Sequence, residues 1–168
     1  VEDGAWGNMR YTVEGPEFDF VFNGHGLTPN GNYTLIYYPD PWPGNGTICL
    51  GEGTATEDGD VHIMGSPDIE GNLPRDYDLN ANASTTTAEN NATGAKIWLV
   101  LSDAVKCTES QMDNKMIGWN PSEYLFEYDL LHYTDTNFDN GEDQSFTNLG
   151  KEESTSTQMP AVIRSDLD

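Results

Sequence analysis

Three histidines, His25, His62 and His132, are the side chains of this chain best suited to proton transfer near neutral pH, and they lie far apart in sequence. No G-x-S-x-G elbow, His-Glu-x-x-His pair or phosphate-cradling glycine loop accompanies them. His25 falls in the Gly-rich stretch Asn23-Gly24-His25-Gly26, which reads as a turn, while His62 and His132 fall on expected strands, where an alternating polar position accounts for them. Carboxylates are plentiful. With 29 acidic residues, some pair will reach the roughly 5–10 Å separation of a glycosidase site by chance. The expected set of catalytic residues is therefore empty, and the chain reads as a non-enzyme.

Binding chemistry has more to offer. Asp135, Asn137 and Asp139 place oxygen ligands at alternate positions ahead of Gly141, as calcium loops do, although the glycine comes one residue late for an EF-hand. Calcium is the one cofactor this spacing suggests; Asp76, Asp78, Asn80 and Asn82 repeat it without the glycine. Trp42, braced by Pro39, Pro41 and Pro43, could pair with Tyr38 as a stacking platform for sugar, but the preferred reading is that Trp42 caps one end of the fold. Cys49 and Cys107 lie in no metal-binding cluster, and in an oxidising compartment they are expected to pair. Such a disulfide would contribute on the order of 4 kcal/mol in the chain-entropy model. Asn-x-Ser/Thr sequons at Asn32, Asn45, Asn82 and Asn91 fall in or beside expected turns, where covalent glycans would fit.

Composition limits the partners. A formal net charge of -22, from 7 basic and 29 acidic residues, excludes nucleic acid and disfavours anionic membranes. No apolar run is long enough for a helical membrane span. A start at Val1 fits a processed, exported chain, and the expected location is extracellular or on the cell surface.

The elements that must position these residues are strands. Met9, Tyr11 and Val13 alternate with polar residues. Phe18, Phe20 and Phe22 share one face of a second strand, and Tyr33 to Tyr38 makes a third. Thr47 to Thr56 and Val61 to Ser66 flank Glu57-Asp58-Gly59-Asp60, a hairpin signature. Ala95 to Leu101 is the most apolar run and predicts a central strand buried on both faces. Lys106 to Asn120 is a long connection with a helical turn within Ser110 to Met116, and Tyr124 to Tyr133 is the last strand of the core. The fold class is therefore all-β, an antiparallel β-sandwich with Greek-key or jelly-roll connections and extended N- and C-terminal segments. The expected core includes Leu35, Tyr37, Ile63, Ile97, Leu99, Phe126 and Tyr128.

Four segments carry a resemblance: Phe18 to Leu27, Tyr37 to Gly44, Gly94 to Leu101 and Trp119 to Glu127. Together they resemble a domain of secreted proteins from methanogenic archaea and some other prokaryotes, over roughly Trp6 to Thr136. That family has no assigned activity. The resemblance implies secretion and a compact β domain, and transfers no catalytic residue.

Two units follow: a β-sandwich domain, 1–134, and a polar tail, 135–168. Between Asp135 and Gln158 the only large apolar side chains are Phe138, Phe146 and Leu149, too few to offset the entropy of ordering. Beyond them Met159, Ala161 and Ile163 alternate with Pro160, Val162 and Arg164, a pattern that suits an added strand. The donor-strand residues are thus Met159, Ala161, Val162 and Ile163. The leading expectation is a structural subunit of an extracellular filament or surface layer, a homopolymer linked by terminal strand exchange. A secreted carbohydrate-binding or adhesive module, its tail folded back in cis, is the alternative.

Overall fold

The computed structural model describes residues 4–75, 94–137 and the backbone of 158–164. The fold is all-β, with two principal antiparallel sheets. In chain order the strands are β1 (Trp6–Thr12), β2 (Glu14–Gly15), β3 (Phe20–His25), β4 (Asn32–Tyr38), β5 (Ile48–Thr54) and β6 (Val61–Gly65). They continue as β7 (Lys96–Leu101), β8 (Val105–Lys106), β9 (Lys115–Met116), β10 (Phe126–Glu127), β11 (Thr134–Asp135) and β12 (Gln158–Arg164). The first sheet has the order β10-β12-β1-β3-β6 and the second β5-β4-β7. β8 pairs with β9, and β11 with β2 in parallel.

The core lies between the sheets because each contributes one apolar alternation. Met9, Tyr11, Phe20, Phe22 and Ile63 of the first sheet join Tyr33, Leu35, Tyr37, Ile97 and Leu99 of the second in one buried cluster. The second sheet buries its other face too. Ile36, Tyr38, Trp98 and Val100 pack under Ala104, Val105, Met116, Tyr124 and Phe126, so the connection after β7 forms an outer layer. This explains the unbroken apolar run of β7. Cys49 on β5 and Cys107 in that layer meet at disulfide-bonding distance, with Cα atoms 6.0 Å apart.

Several expectations need correcting. Asn23, Gly24 and His25 continue β3 and the chain turns after them; Asn23 stands opposite His62 in the ladder with β6. The Glu57–Asp60 turn forms, with Gly59 at φ 80°, but it joins different sheets and makes no hairpin ladder. The reason lies in Gly51 and Gly53. A Cβ at Gly51 would stand 2.8 Å from Ile63 and one at Gly53 2.8 Å from Val61, so β6 packs across the face of β5. β4, and not β7, is the middle strand of the second sheet. The last strand is broken: Leu125 bridges to Leu99 and Leu131 to Ala95 in the second sheet, while Phe126 and Glu127 turn to β12 in the first. Tyr128, expected in the core, is exposed, and Phe126 belongs to the outer cluster.

Candidate functional site

The C-terminal strand occupies a slot inside the first sheet. β12 runs antiparallel to β1 over its whole length, from Trp6 opposite Arg164 to Thr12 opposite Gln158. On its other side Arg164 and Ile163 pair with Phe126 and Glu127. Met159, Ala161 and Ile163 thus stand opposite Tyr11, Met9 and Gly7, the positions at which β1 faces the core. Pro160 stands opposite Arg10, where β12 has no second ladder neighbour among the described residues, so its missing N–H costs no described ladder bond on that side. The strand is no surplus edge. It separates β10 from β1, and taking it away would open the sheet.

The described residues on either side of the connection to this slot lie near one another. Thr136 N–H donates to the Gly15 carbonyl at 2.9 Å, and β12 starts opposite Thr12. Three residues of β-chain and one inter-strand spacing put the gap at about 15 Å. About five extended residues would cross it. The sequence supplies the twenty residues 138–157, which could extend to about 70 Å.

The other expected sites lie apart from one another. His25 Nδ1 lies 2.8 Å from Asp60 Oδ1, and its ring packs on Trp6. His62 Nδ1 lies 2.7 Å from Asn23 Oδ1 on the outer face of the first sheet, and His132 approaches Gly94. The Asp135 carboxylate accepts backbone N–H bonds from Gly71 at 2.8 Å and Asn137 at 3.0 Å, tying the 70–72 loop to β11. Among the described residues no group of three His, Cys, Asp or Glu is arranged to hold a metal. Asp139 lies outside the described residues, as do Asp76 to Asn82 with its sequon, the sequon at Asn91 and the Ser/Thr runs. Asn32 and Asn45 are exposed, while their sequon partners Thr34 and Thr47 are buried.

Trp42 does not cap the sandwich. It stands half-exposed on the outer layer, edge-on to Trp119 with ring centroids 5.5 Å apart at 82°. Tyr38 stacks beneath on Trp98, 3.8 Å between centroids at 11°. Trp98 and Trp119 were not legible as partners of Trp42, because one sits in an apolar strand and the other at the end of a loop. Only the tryptophan count, four in 168 residues, hints at a shared place.

Trp98 Nε1–H donates to Glu127 Oε2. Burial pushes the Glu127 carboxyl up to about 7, with Asp40 adding to the rise and a backbone N–H, Trp98 and Lys96 opposing it. A raised carboxyl binds its proton more tightly in the folded than in the unfolded chain. Stability therefore falls as pH rises from about 4.5 to about 7 and stays lowered above that. Glu127→Gln, which keeps the acceptor for Trp98, is expected to remove this slope and to stabilise the protein at pH 8 by no more than about 3 kcal/mol. Denaturant midpoints of the two proteins at pH 5 and pH 8 check it.

Compared with known proteins, the chain matches no family model and no curated sequence.

Proposed function

We propose that this protein is a structural subunit of an extracellular filament or surface assembly, its copies linked by exchange of the C-terminal strand. One observation carries the reading: β12 fills a slot between β1 and β10 and is tethered by far more chain than closure within one molecule requires.

The physics of exchange follows from identity. A strand seated in its own domain and one seated in a neighbour make the same ladder, so the contacts do not choose between them. Tether length and subunit concentration do. A short flexible tether holds its strand at millimolar effective concentration, and that value falls as roughly the −3/2 power of length. Twenty residues where about five suffice lower it roughly eightfold. Because one donor serves one acceptor, the exchange is head-to-tail and propagates as an open chain unless rotation closes it. A net charge of -22 per subunit opposes association, so cations or high salt are part of the assembly condition. A secreted location and covalent glycans at Asn32 and Asn45 belong to the same reading, supported by the cysteine pair in a small domain and the exposure of both asparagines.

Cross-linking separates exchange from closure. Asn8 and Val162 are register partners, at a spacing that suits a disulfide. The double variant Asn8→Cys, Val162→Cys, oxidised after concentration in high salt with calcium or magnesium, is expected to give a ladder of covalent oligomers. Electron microscopy of the same material should show linear particles. Quantitative cross-linking with monomers alone would overturn the proposal.

A further inference from the structure

We propose that the corner built by Trp42, Trp98 and Trp119 beside Tyr38 and Asp40 is a binding site for a neutral hexopyranose unit of a glycan. These five residues line an open cavity of about 470 Å³ on the outer layer. Its size suits a ligand of one or two sugar rings and exceeds what a single trimethylammonium group would fill.

The aromatic geometry fits a sugar. Trp42 and Trp119 are each 52% exposed and meet nearly at a right angle, so one indole face and one indole wall are both open to a ring placed between them. The C–H face of a pyranose stacks on such a surface, while its hydroxyls need polar partners at the rim. The stacked Tyr38 and Trp98 pair forms the buried floor. Trp98 is fixed by its N–H bond to Glu127 and by Phe126 packed edge-on at 5.0 Å. Trp119 is wedged against Tyr124 and Phe126. On the other side Pro41 and Pro43 restrict the loop that carries Trp42, and Gly44 packs tightly on Tyr38, where a Cβ would come within 2.4 Å of its ring. The exposed rings are thus set in advance, which lowers the entropic cost of binding.

Charge selects a neutral ligand. Asp40 borders the cavity in an ion pair with Lys96, whose ammonium also lies 5.3 Å from the Tyr38 ring centroid. The Asp40 carboxylate is thus already offset by a buried ammonium of the chain and needs no ligand cation to balance it. At the cavity wall the Asp40 carboxylate offers an acceptor for sugar hydroxyls.

The test uses the full chain and its own tryptophan fluorescence. Cellohexaose, maltohexaose and N-acetylchitohexaose are titrated at millimolar concentrations, with choline chloride alongside. At least one oligosaccharide is expected to bind saturably. Trp42→Ala should weaken that binding by about tenfold or more, the loss of one stacking ring. Met64→Ala, at an exposed position on β6 of the other sheet, should leave it unchanged. Because Trp42 is half-exposed, thermal unfolding of Trp42→Ala should stay close to that of the parent, which separates lost binding from lost fold. Absence of saturable binding to all three oligosaccharides, binding undiminished in Trp42→Ala, or choline binding more tightly than every sugar would each overturn the assignment.

Discussion

Removal of Gln158 to Asp168 is expected to lower the stability of the domain by about 3–6 kcal/mol, the loss of a seven-residue ladder at roughly 1 kcal/mol net per hydrogen bond. The effect is large because β12 is internal. β1 keeps β3 on one edge but loses its whole other ladder, and β10 loses its only ladder partner among the described strands. Two unpaired edges facing a slot also make the truncated chain prone to aggregate. A domain of this size commonly has only about 5–15 kcal/mol in hand, so truncation should bring the thermal midpoint down steeply. A synthetic peptide spanning Ser156 to Ser165, added in trans, should restore it. At a hundredfold excess over its dissociation constant the recovery would be about 2.7 kcal/mol. An unchanged midpoint after truncation, or a peptide without effect, would show that the slot does not recruit a strand, and strand exchange would fall with it.

The second large effect is expected from the tether. Deleting Glu142 to Glu153 leaves eight of the twenty connecting residues, with a reach of at most about 28 Å. That still crosses the gap of about 15 Å from Asn137 to Gln158 within one molecule. It is less than the roughly 36 Å diameter expected for a domain of this length, so delivery into a neighbour is strongly disfavoured. The shortened protein should unfold at the same temperature as the parent or slightly higher, because closure is entropically easier. Under conditions in which the parent forms linear particles, light scattering and electron microscopy should find it monomeric. Assembly at the parent's level would mean that the strand is not what links the copies. Together the two variants divide the roles: one removes the plug, the other keeps it and removes its reach.

Much of the architecture was legible in the residues. The alternation of Met9 and Tyr11, the Phe20–Phe22 face and the aromatic run of β4 each place an apolar set with period two, and each is a strand with that face in the core. The approach of Cys49 and Cys107 to disulfide-bonding distance, and the strand character of Met159 to Ile163, agree with what the residues suggested, because side-chain chemistry and local pattern act at short range. Sheet membership was not. The Glu57–Asp60 turn has hairpin composition, yet glycines at 51 and 53 let β6 lie across β5 face to face, a choice that only the opposite wall of the core can make. Tyr124 to Tyr133 reads as one strand and is divided between two sheets, because Leu125 and Leu131 bridge to Leu99 and Ala95 while Phe126 and Glu127 between them pair with β12.

The sequence by itself determined that this is an acidic all-β chain with a detached, strand-forming end, since charge, period and turn chemistry are local properties. Tertiary structure alone decided that this end belongs inside a sheet between β1 and β10, and that Trp42, Trp98 and Trp119, up to 77 positions apart, meet in one corner. Both depend on long-range closure. A strand's neighbours and a ring's partners are chosen by which surfaces remain uncovered once the rest of the core has packed, and no short window of residues carries that information.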